Sequence, residues 1–161
     1  MDNLQFYPVT MSFMKATVAA GTTSTLSSTG TVYFSIRGKA YSHAALSNTA
    51  TPTTDAVTGI AFVPIVTNFG ALIVIGFNAA GTLVAAQGAV QALDATGAFI
   101  TSPQFPILPD NFCPIAYEII KAGSTASASG WIFGTSNQAS VTGITYTIVD
   151  INTIPDRPQI S

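Results

Sequence analysis

Inward and outward positions alternate at two places in the chain. In residues 31–37, Val32, Phe34 and Ile36 alternate with Thr31, Tyr33, Ser35 and Arg37. In residues 144–151, Ile144, Tyr146 and Ile148 alternate with Thr145, Thr147 and Val149. A repeat of every second residue predicts a strand with one face covered. A third strand is expected over Ile115 to Lys121, with Ile115, Tyr117 and Ile119 on one face and Ala116, Glu118 and Ile120 on the other. Residues 60–77, IAFVPIVTNFGALIVIGF, are uncharged and as long as a membrane-crossing helix. Pro64, Asn68 and Gly70 interrupt them, no Lys or Arg flanks them, and their β-branched residues favour strands. They predict two buried strands, 60–67 and 71–77, turning at Asn68–Gly70.

Turn chemistry orders the middle of the chain. Asn78-Ala-Ala-Gly81 and Asp94-Ala-Thr-Gly97 each carry Asx first and Gly fourth. That pattern closes hairpins through a type I turn and a left-handed Gly, and it predicts a meander of 71–77, 82–92 and 98–101. Residues 83–93 are also rich in the helix formers Ala, Leu and Gln; Gly88 and the two flanking turns favour strand. Pro103, Pro106, Pro109 and Pro114 make 103–114 extended, irregular chain on a surface or an edge. Its Phe105, Ile107, Leu108 and Phe112 then need cover.

The remaining segments read more simply. Residues 1–14 are a short strand or docked arm, 19–30 a loop or solvent-facing strand, and 40–46 a short helical turn. Residues 48–59 form a loop with Asp55 in an Asx-turn. Residues 131–133 are a short strand, 135–140 a polar loop, and 152–161 an extended tail with Asp156 and Arg157 between Pro155 and Pro158. The chain is expected to be one domain, 1–161, with 1–30 as an N-terminal arm or strand. Its fold class is all-β: an antiparallel β-sandwich or jelly-roll-like barrel with little helix.

Composition changes the picture in one respect. Charged residues make up 7% of the chain, against about 25% in ordinary soluble domains. Surface with so few charges favours an oligomer or a larger assembly that covers it. A net charge of −2 supplies no basic field for nucleic acid. Asp2 and Asn3 stand where a signal peptide carries basic residues, so synthesis in a cytoplasm is expected, and no membrane partner.

Candidate chemistry is sparse. Cys113 reads as a buried small hydrophobe, and His43 as an exposed or hydrogen-bonded loop residue. The aspartates are spread along the chain, so no metal site is expected. Glu118 is the only glutamate, expected to face solvent or to pair with Lys121 or an arginine. Paired catalytic carboxylates, a nucleophile elbow and a phosphate loop are all missing from the sequence. The expectation is a non-enzyme without cofactors. Trp131 reads as core or as an interface contact.

The segments GKAYSHAALSNTATPTTDAVTGIAF (38–62), FNAAGTLVAAQG (77–88), FPILPDNFCPIAYEIIKAG (105–123) and VTGITYTIVDINTIPDRPQ (141–159) follow one another in an order that resembles a group of small tailed-bacteriophage virion structural proteins. The resemblance implies a capsid decoration or cement protein on the capsid surface of the virion, partnered by the major capsid protein. A homotrimer suits three-fold positions on such a shell. The alternative implied is a tail or fibre-tip attachment protein that binds a host glycan; Tyr7, Tyr33 and Tyr41 are the aromatic residues available for such a surface, and nothing in the sequence fixes them on one face. Expected assembly contacts are Phe6, Tyr7, Phe105, Trp131, Asp156 and Arg157, with 1–14 and 152–161 as clasping arms.

Overall fold

The computed structural model describes residues 9–155. Phe6, Tyr7, Asp156 and Arg157 lie outside the described residues. The strands in chain order are β1 (Met11–Ser12), β2 (Ala19–Ala20), β3 (Thr25–Ser27), β4 (Val32–Ile36), β5 (Lys39–His43), β6 (Thr49–Ala50), β7 (Phe69–Asn78), β8 (Leu83–Gln87), β9 (Gln91–Ala92), β10 (Phe112–Ala122) and β11 (Ile144–Asp150). They form three antiparallel sheets, and the described residues include no helix. The central sheet runs β11-β10-β7-β8, with β9 also on β7; β1-β4-β5 and β2-β3-β6 are smaller sheets. The result is an open, sandwich-like all-β fold rather than a closed barrel.

The central sheet is covered on both faces. On one, Val32, Phe34 and Ile36 of β4 and Leu26 of β3 pack with Ile73, Ile75 and Phe77 of β7 and with Trp131 and Phe133. On the other, Leu72, Val74, Tyr117 and Ile119 are covered by Phe99, Phe105 and Leu108 from the irregular chain before β10. The prolines therefore keep 103–109 out of strand while its apolar residues roof the sheet. Ile107 is the exception, 90% exposed.

β10 begins earlier than expected because it takes in Pro114. Proline has no N–H to give the ladder, and the pairing with β7 slips between Pro114 and Ala116. The slip puts Cys113, Ile115 and Ala116 all in the main core, so Ile115 does not share a face with Tyr117. Gly76 sits opposite, where a Cβ would lie 2.2 Å from the Cys113 carbonyl oxygen.

Several expectations are corrected. Residues 60–67 are not a strand; among the described residues their β-pairing is limited to two isolated bridges, Ala61 with Thr54 and Ile65 with Trp131. Ile60 and Val63 are exposed, since Pro64 cannot join a ladder. Residues 39–43 are β5, not a helical turn: Arg37 and Gly38 both take positive φ, 50° and 78°, and turn the chain tightly so that Ile36 faces Lys39. Residues 98–101 contribute only the Leu93–Phe99 bridge, and Trp131 bridges Ile65 without a strand around it. The two Asx turns form as expected. Asn78 and Asp94 each accept the backbone N–H of the turn's Gly, at 2.9 and 3.0 Å, and both glycines take positive φ. Residues 83–87 are strand, not helix.

Candidate assembly interface

The side chains with reactive potential are scattered and structurally employed. His43 lies on β5, not in a loop, and its ring stacks on Phe77 at 4.3 Å. Cys113 is buried, and that burial pushes its thiol up to about 12. The Asp94 carboxylate is held below its usual range by the Thr96 hydroxyl and by the Ala98 and Thr96 N–H groups of its own turn. A cleft of about 780 Å³ is lined by Asp94, Lys121, Ser124 and Thr145 among others, and Asp94 Oδ1 there is taken up by the aspartate's own turn. Lys121 there lies over the Phe99 ring, 5.4 Å from its centre.

Glu118 corrects the expectation of a solvent-facing or paired residue. It is fully buried, opposite Ile73 and Ile148, and neither carboxyl oxygen has a hydrogen-bond partner. Lys121 is three positions on and so projects from the opposite face of the strand. Burial pushes the Glu118 carboxyl up to about 8. The phenol of Tyr146 is raised as well, first by its own burial and then by the nearby Glu118 charge.

The two edges of the central sheet differ. On β8, the bonds Asn78 N–H to Thr82 O and Gly88 N–H to Leu72 O bracket the ladder with β7. Antiparallel alternation then turns the backbone groups of Leu83, Ala85 and Gln87 outward. The loop before β7 meets those of Ala85 and Gln87. Ala56 N–H donates to Ala85 O at 2.8 Å, and Gln87 N–H donates to Asp55 Oδ2 at 2.8 Å. Asp55 Oδ1 accepts Val57 N–H and Thr58 N–H, the expected Asx-turn. The Gln87 side-chain amide ties the same loop to β8 by bonding both Val63 N–H and Val63 O.

On β11, Ile151 N–H to Ile115 O and Gly123 N–H to Gly143 O bracket the ladder with β10. The odd residues thus bond β10, and the backbone groups of Tyr146 and Ile148 point outward. Among the described residues no segment pairs with them, since β11 pairs only with β10. The open stretch is bounded. At one end Ile144 N–H is taken by Val141 O, and at the other Val18 N–H donates to the Asp150 carboxylate at 2.8 Å. Thr145 and Thr147 are exposed; Ile144, Tyr146 and Ile148 are half-buried against the main core. No lysine, proline or bulge guards this edge.

Of the described residues expected as contacts, Trp131 takes the first of its two expected places, the core. It is 2% exposed, and its Nε1–H donates to Asn137 O. Phe105 is half-buried, with its ring edge-on to Tyr117 at 5.2 Å. The tyrosines do not converge either. Tyr33 is exposed, whereas its hairpin partner strand turns Tyr41 inward to stack on Phe34. Sequence reasoning missed the open edge; its signal was a strand late in the chain whose outward face carries Thr145 and Thr147 and no charge until Asp150. No protein-family model matches this chain, and no match was found among curated proteins or solved structures.

Proposed function

We propose that this chain is a non-enzymatic structural subunit of a tailed-phage virion, a decoration or cement protein on the capsid surface. In this reading it acts as a homotrimer that bridges neighbouring major capsid proteins and stabilises the shell by binding only its assembled form. The observation that carries the reading is the pairing of a 7% charge content with a sheet whose β8 edge is tied to the preceding loop and whose β11 edge is open among the described residues. A charge-poor protein with an unguarded edge is suited to a place where other chains cover it. The solitary reactive groups support the same reading, because Asp55, Asp94, His43 and Cys113 are each engaged in a turn or the core. The segments that resemble phage virion proteins include the β7–β8 turn and β10, the frame of the central sheet.

The test is purification of virions from a phage carrying this gene, followed by peptide mass spectrometry and antibody labelling. The reading predicts the chain in mature particles with label over the head. Its absence from virions overturns the structural role, and label confined to the tail overturns the head assignment.

A further inference from the structure

The open edge of β11 raises the question of what covers it. Among the described residues Tyr146 and Ile148 present unpaired backbone groups beside half-buried apolar side chains, and such an edge is a template for another strand. We propose that residues 3–7 of a second copy of this chain add to β11 as a further antiparallel or parallel strand.

The amino-acid order of that segment fits the edge. Asn3-Leu4-Gln5-Phe6-Tyr7 alternates polar and apolar residues up to Phe6, carries no charge, and is as long as the open stretch Thr145–Val149. One register places Leu4 and Phe6 beside Tyr146 and Ile148, extending the main core. With the added strand parallel it places Asn3 and Gln5 beside the exposed Thr145 and Thr147; with it antiparallel, Gln5 still lies beside Thr147 and Asn3 beside Val149. Aromatic against β-branched neighbours is a favourable cross-strand combination. Pro8 ends the segment, where a missing N–H costs an edge strand nothing.

The point at which the arm leaves the body favours a second copy over its own. Ser12 N–H bonds Asn152 O, just past the end of β11. From there the chain runs back along β4: Thr10 Oγ1 accepts Arg37 N–H, and Val9 O accepts Gly38 N–H and the Ser35 hydroxyl. Arg37 in turn pairs with Asp110, which precedes β10. Val9 therefore departs beyond the β10 start, whereas β11 reaches only to the level of Ala116. Returning to its own edge would require the arm to double back. An arm from one copy on the edge of the next is a head-to-tail contact, which closes into a ring when the rotation permits. The proposal concerns self-association alone, so it stands or falls separately from the virion reading.

The experiment compares the full chain with a variant lacking residues 2–7, by light scattering and by amide hydrogen exchange. The expected full chain is oligomeric, with Tyr146 and Ile148 amides protected. Deletion gives a folded monomer in which those two amides lose protection at least about tenfold, while Thr145, Thr147 and Val149 keep theirs through β10. A monomeric full chain with protected Tyr146 and Ile148 overturns the second copy in favour of the chain's own arm. Unprotected amides in the full chain, or protection that survives the deletion, overturn the arm altogether. If the deletion variant fails to fold, Thr147→Lys in the full chain replaces it, with loss of oligomer expected and an unchanged oligomer overturning the proposal.

Discussion

The β8 and β11 edges belong to one sheet, yet they are finished in different ways. β8 is closed from within its own chain. A buried aspartate and a neighbouring amide occupy the outward groups of Ala85 and Gln87. β11 has the same backbone and, among the described residues, no such cover. Edge strands that stay open without charge, proline or bulge invite another strand. The difference therefore separates a surface that the fold protects from one that it leaves available.

The largest expected effect comes from making the two edges alike by opening β8. Asp55 is 5% exposed, and its carboxylate accepts the N–H groups of Val57, Thr58 and Gln87. Asp55→Ala strands those donors and is expected to cost about 3 kcal/mol of stability, read from urea denaturation. It is also expected to add association through β8, seen as concentration-dependent light scattering. A variant as stable and as well behaved as the parent would show that Asp55 does not close the edge.

The next effect lies between the edges and leaves both unchanged. Glu118 has a folded pKa raised to about 8 from an ordinary 4.5. The folded state then holds a proton that the unfolded state releases, so stability falls as pH rises from the lower value to the higher and levels off above it. Glu118→Gln keeps the shape without the ionisation. Its stability is expected to be nearly flat over that range and to exceed the parent's at alkaline pH, measured as urea midpoints at both ends. A parent with no pH dependence there would mean that Glu118 finds a partner in solution.

The smallest effect on folding comes from guarding β11. Thr147 is exposed and opposes Ile119 on β10. Thr147→Lys should change folding stability by less than about 0.5 kcal/mol while lowering the solution mass. Unfolding curves and light scattering on the same samples separate the two readouts, and a mass unaffected by the lysine would count against pairing at this edge.

Much of the frame was legible in the chain. Alternation marks β4 and β11, and Asx-x-x-Gly marks the turns at 78–81 and 94–97. Segment 60–67 was less legible because its apolar residues look like core, while Pro64 bars the ladder and Ile60 and Val63 remain outside. β5 was hidden by an Ala-rich sequence whose pairing depends on the tight turn at Arg37–Gly38. The burial of Glu118 was unreadable locally. It depends on β10 being enclosed by β7 and β11 on its flanks and by packed layers on both faces. The open edge is likewise a property of topology, since the residues of β11 do not state how many neighbours they have.

The most direct test of the contrast is amide exchange at Gln87, Tyr146 and Ile148 over a dilution series of the intact protein. The account predicts that Gln87, bonded to Asp55 within its own chain, keeps its protection at every concentration. Tyr146 and Ile148 should lose theirs on dilution as the copies separate. Equal, concentration-independent protection at all three positions would contradict it.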